Sequence, residues 1–255
     1  MRIIHPSETT PPRHATARRR KTQSGQEIFE FGLAAILLMP MFLGSFIVGM
    51  NLIRSIQCNQ VCRDLDDMYI HGADFSTYPI QQEAARLAQG LNLQVSAFSG
   101  DTSGYEQANT SNSGNGIVTL TEIMWIGGST GTNCQSVSPA TCTNENSFVF
   151  LQQIQFGNGN LANAQTVSVG QCPTAIMNDS GVVTVNYVTN AQAALQGSAQ
   201  TNMQALWQTS STVSGGTATP LSDGQTAYIA ETYFQSPDLS VGSLAGNGVY
   251  ARYFF

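Results

Sequence analysis

The sequence predicts an α+β fold: a long N-terminal membrane-spanning helix continuing into an extracytoplasmic domain with an antiparallel β-sheet and one or two short helices. Three observations predict it. Residues 31–53 carry no charge. The apolar residues that follow keep a three- and four-residue spacing to about His71, which is the helical period. From residue 92 the period falls towards two, the period of a strand. The chain therefore divides into a basic cytoplasmic leader (1–25), a transmembrane helix (26–55), a helical extension (56–95) and a β-rich domain (96–255).

The leader holds Pro6, Pro11 and Pro12 among Ser, Thr and Arg and shows no apolar period, so it reads as a disordered tail. Arg18, Arg19, Arg20 and Lys21 close it. Residues 1–25 hold six of the ten Lys+Arg and one acid, and residues 26–255 hold four basic and fifteen acidic residues. The positive-inside rule then places the N-terminus in the cytoplasm and the rest of the chain across the membrane.

The uncharged 31–53 stretch, as a helix, is about 34 Å long at 1.5 Å per residue, enough to cross a bilayer. It is too long for the apolar core of a secretory signal peptide, and Ser55-Ile56-Gln57 before Cys58 lacks the small residue of a lipidation site. Pro40 is expected to bend this helix, and Gly32, Gly44 and Gly49 give small surfaces for a neighbouring helix. Beyond the span, Leu52, Ile53, Ile56, Val61, Leu65, Met68 and Tyr69 extend one apolar stripe until Gly72 stops the helix. The following domain is expected to cover that stripe. A shorter helix is expected from Pro79 to Leu91, since proline suits a first helical position.

Strands are expected at 116–127, 147–156, 165–169, 181–188, 225–234 and 248–255, and a helix at 190–207 interrupted by Gly197. The Thr/Ser/Gly-rich stretches 99–115, 208–220 and 236–247 read as loops.

All five cysteines follow the span, on the side where disulfides persist. Cys134 and Cys142 close a short loop and are expected to pair. Cys58 and Cys62 lie one turn apart on one helix face, too far apart to bond each other. One of them is a candidate partner for Cys172, which leaves an odd thiol, free or joining two subunits. No CxxC or paired His accompanies them, so a metal site is not the favoured interpretation.

One histidine, His71, follows the leader, and there is no GxSxG or HExxH, so neither a catalytic site nor a cofactor is expected. Asp64, Asp66 and Asp67 read as a solvated helix flank. The acidic mature part argues against nucleic acid as a partner.

One charge in the span region needs a purpose. A carboxylate in a lipid-facing helix is costly unless it is paired or near the interface, and Glu30 stands at the start of the apolar run. A cut after Gly25 would give Gln26 a new α-amine and make Glu30 the fifth residue, able to pair with the amine of a neighbouring subunit.

The run Gly25-Gln26-Glu27-Ile28-Phe29-Glu30-Phe31, between a basic leader and an apolar span, resembles the prepilin peptidase site of type IV pilin-like proteins. It is most similar to the Tad (tight adherence) branch, in which Gly is followed by four residues, then Glu and Tyr or Phe. The whole looks like a TadE-like minor pseudopilin, with a longer leader than usual and Gln in place of a bulky apolar residue at position 26. The resemblance covers about residues 18–71. It implies cleavage by an aspartic prepilin peptidase between Gly25 and Gln26, assembly with other pilins or pseudopilins through the helix that begins near Glu30 and Phe31, and a part in pilus assembly and surface adhesion. The alternative is a permanently anchored extracytoplasmic ligand-binding protein that keeps its leader.

Overall fold

A computed structural model describes residues 24–95, 110–111, 113–137, 141–161, 169–211, 222–235 and 248–255. The basic cluster, residues 99–109 and 112 of the loop expected at 99–115, residues 212–220 of the loop expected at 208–220, the loop expected at 236–247, and all but Val169 of the strand expected at 165–169 lie outside them.

Helix α1 runs from Ser24 to Ile70, 47 residues, with Pro40 inside it. It ends where the sequence expects. Gly72 adopts a left-handed φ of 84°, its N–H donates to Tyr69 O at 3.0 Å, and Ala73 N–H donates to Met68 O at 3.0 Å. Those bonds use carbonyls that the last turn would otherwise leave bare. The chain forms two units, Met1–Gly49 and Met50–Phe255. Among the described residues the first unit is helix alone.

In the second unit, α2 (Tyr78–Leu87) carries Pro79 in its first turn and passes into a 3₁₀ turn at Gln89–Leu91. A mixed sheet follows, made of β1 (Thr110–Ser111), β2 (Gly116–Ile126), β3 (Ser147–Asn158), β4 (Thr226–Phe234) and β5 (Val249–Phe254). Its order is β1-β3-β2-β4-β5. The four longer strands are antiparallel neighbours, and β1 pairs parallel to β3 over two residues.

Alternation along β2 sends Val118 and Leu120 to one face and Thr119, Thr121 and Ile123 to the other. On the first face Val118 and Leu120 join Ile154, Phe156, Ala230 and Ala251, and α1 lays Cys58, Val61, Cys62, Leu65 and Tyr69 over them. On the second face Ile123 joins Phe148, Phe150, Ala227 and Ile229, under Cys172, Ile176, Leu195 and Met203. A bulge between Glu122 and Ile123 makes β3 supply to both layers: Gln152 faces Glu122 but Phe150 faces Ile123, so Leu151 is the extra residue. One added residue inverts the facing of side chains on one side of it relative to the other, which is how Phe148 and Phe150, before Leu151, reach the second face while Ile154 and Phe156, after it, line the first.

Three expectations are corrected. The 181–188 stretch is no strand. It makes isolated bridges at Val182 and Val183 and otherwise turns, held by Asn178 Oδ1, which accepts from Ser180 N and Val182 N, and by Asn186 Oδ1, which accepts from Val188 N. Asparagine side chains that cap their own backbone two residues on favour such turns over a ladder. Gly181 is required there, because with φ at 72° a Cβ would come within 2.3 Å of Gln153 O.

The helix expected at 190–207 is instead a 3₁₀ turn at Ala191–Ala193 and then α4 (Ser198–Ser211), so the start of the loop expected at 208–220 is helical. Gly197, at φ 54°, separates the two. The apolar stripe of α1 is covered only from Cys58 onward, since Leu52, Ile53 and Ile56 are 61%, 50% and 50% exposed.

Candidate functional site

The first candidate is the N-terminal half of α1. Gly25 and Gln26 lie in its first turn, and Glu30 is exposed five residues after Gly25. Phe31 is 76% exposed, Ile36 77% and Phe42 71%, and Ile28, Phe29, Leu37, Met39 and Val48 are similarly bare. A Cβ added at Gly25, Gly32, Gly44 or Gly49 would meet nothing within 4 Å. The helix is thus apolar around its whole circumference, and it is long and apolar enough to cross a membrane. Such a surface is satisfied by lipid or by other helices, not by water.

The second half of α1 is held to the sheet by groups that are polar but not charged. Cys58 Sγ lies 3.3 Å from Thr232 Oγ1, and Cys62 Sγ donates to Ala230 O at 3.2 Å. Burial pushes the Cys58 thiol up to about 11, against the lowering effect of its Thr232 bond. Burial likewise pushes Cys62 up to about 12. Both therefore stay as thiols, weak donors that tie α1 to β4 rather than thiolate nucleophiles or metal ligands. Cys172 is also free and buried, but it belongs to the layer on the opposite face of the sheet. The sheet itself separates it from Cys58 and Cys62, which corrects the pairing expected with one of them.

A measurable consequence follows from this burial. In the folded protein Cys58, Cys62 and Cys172 resist alkylation by iodoacetamide at neutral pH, and all three are modified on unfolding. Mass spectrometry showing native modification of Cys58 or Cys62 would contradict their assignment as structural thiols.

Further along, Tyr69 donates its hydroxyl to Gln152 Oε1 at 2.9 Å and packs edge-on against Tyr228, with ring centroids 5.5 Å apart. Burial raises the Tyr69 phenol. Burial also raises the Glu122 carboxyl, which faces both rings, against a hydrogen bond from Tyr228 that lowers it. Asp64 and Asp67 are exposed as expected, but Asp66 is 0% exposed. The solvated-flank interpretation fails for Asp66 because it falls one turn after Cys62, on a flank already turned inward. That four-residue spacing was the available signal. His71 remains exposed, its Nδ1 2.7 Å from Asp67 O.

At one end of the sheet, Cys134 and Cys142 form the expected disulfide. Beside it, Asp223 gathers three donors: Gly127 N at 2.6 Å and Asn133 Nδ2 at 3.0 Å on Oδ1, and Asn133 N at 2.7 Å on Oδ2. Burial alone would raise this carboxyl, but these bonds outweigh it and hold it below its ordinary value. The carboxylate occupies the mouth of the short helix α3 (Thr132–Val137) and joins the start of β4 to the loop after β2. Sequence inspection does not single out Asp223, because its partners lie about ninety residues away.

The second face also has a hollow of about 320 Å³, lined by Phe150, Val169, Pro173, Ala191, Ala194, Ala199 and three glutamines. No titratable group lines it among the described residues, so it offers shape and amide hydrogen bonds without acid–base chemistry. No family model, curated protein or solved structure matches the chain.

Proposed function

We propose that the chain is a pilin-like subunit, similar to TadE-like minor pseudopilins. It is held by α1 in a bacterial inner membrane with its leader in the cytoplasm. An aspartic prepilin peptidase removes the leader between Gly25 and Gln26. The freed helix then packs against other pilins or pseudopilins, and Glu30 takes the α-amine of a neighbouring subunit as its counter-charge. The Met50–Phe255 unit presents the outward surface, for adhesion or for contact with assembly proteins.

The observation that carries this reading is the division of labour within α1. Its second half is fixed to a sheet through Cys58, Cys62, Leu65 and Tyr69, whereas its first half is bare and apolar on all sides. A helix built only as a lipid anchor has no need of an acid five residues after a glycine that follows a basic cluster.

The experiment is N-terminal sequencing of protein recovered from membranes of the native host. A chain beginning at Gln26 supports the proposal. A chain that retains Arg18–Lys21 contradicts it and favours a permanently anchored binding protein, for which the hollow beside Phe150 is the place to seek a ligand.

A further inference from the structure

We propose that Asp66 makes the seating of the last turns of α1 on the sheet proton-linked: a bound proton lets the helix close on the sheet, and loss of that proton to solvent loosens it. This goes beyond the pilin-like reading and does not depend on it.

The geometry carries the proposal. Asp66 is 0% exposed, and neither of its carboxylate oxygens has a hydrogen-bond partner among the described residues. It sits between two anchoring residues of the helix, Cys62 one turn before it and Tyr69 three residues after it. An ionised carboxylate left without donors in a packed interface is strongly unfavourable, whereas the neutral acid costs much less.

The groups around it offer no relief. On α1 the neighbouring Asp67 adds a like charge. From the sheet, Glu122 of β2 and Tyr228 of β4 meet Tyr69 and add an acid and a phenol. The nearest thiol, Cys62, is itself held protonated by burial. Burial first, and then the Asp67 charge, push Asp66 up to about 7 from an ordinary value of 3.8.

The sign of the linkage is the reverse of that for a salt-bridged acid. The folded chain keeps the proton where the unfolded chain has lost it. Stability is therefore full below about 3.8, falls as pH rises from there to about 7, and stays low above that. The interface is tighter in mildly acid surroundings than in neutral or alkaline ones.

The test uses the full chain in lipid nanodiscs, melted at a series of pH values from about 4.5 to about 8. The expected result is a wild-type Tm lower by at least about 4 °C at the alkaline end, the shift that one to two kcal/mol makes in a unit of this size. Asp66→Asn, and Asp66→Ala in case the amide is not accommodated, should flatten that dependence and melt above wild type at pH 8. Glu122→Gln should retain the slope. The proposal is overturned if the Asp66 variants keep the wild-type slope, or if the slope disappears in Glu122→Gln instead.

Discussion

Phe75→Ala lowers the stability of the Met50–Phe255 unit by about 3–5 kcal/mol, the usual cost of emptying an aromatic site in a packed core. Phe75 is 0% exposed and lies where the chain turns back after α1. Its ring stacks on Phe156 of β3 at 5.9 Å and meets Tyr69 of α1 edge-on at 6.2 Å, so it fills the junction of helix, loop and sheet. The same substitution should leave membrane insertion untouched, because none of the 31–53 stretch changes. Denaturant unfolding in nanodiscs, followed by tryptophan fluorescence, gives the number. A loss below about 1 kcal/mol would mean that the cavity collapses and that this junction is not rigid.

Glu30→Ala has the largest expected effect on function. Insertion and the melting of the globular unit should match wild type, since Glu30 is exposed on the bare half of α1. On the pilin-like proposal, incorporation into filaments should fall at least about tenfold, because the variant would lack the charge proposed to compensate a neighbour's α-amine in a low-dielectric bundle. Glu30→Gln should fail similarly, which separates charge from shape. Filaments sheared from cells and probed by immunoblot for this chain would decide it. Wild-type amounts of either variant would remove the role given to Glu30 while leaving the N-terminal cleavage question to be answered separately.

Elements with one dominant instruction were legible in the sequence. The 116–127, 225–234 and 248–255 stretches alternate without asparagine turns and form β2, β4 and β5 within a residue or two. The 181–188 stretch holds four valines, more than any of these three, yet Asn186 falls inside it and Asn178 and Asn190 flank it, and each side chain accepts a nearby backbone N–H. Local capping outcompetes pairing there, and composition alone hides it.

The long apolar helix α1 was legible, because length and the absence of charge are one-dimensional properties. The setting of Asp66 was not legible, because identity suggested solvent and only position relative to Cys62 suggested burial. The Asp223 cluster depends on contacts between distant parts of the chain, and no local pattern encodes them.

The extra residue in β3 has a consequence for how the unit comes apart. Because a single strand serves as a wall of both layers, neither layer can dissolve without stripping the other of one of its sides. A force applied through α1 would therefore meet one all-or-none barrier instead of peeling the two layers away in turn. Were the chain assembled as proposed, with its anchor and outer surface pulled in opposite directions, that unity would limit how far it extends before it yields.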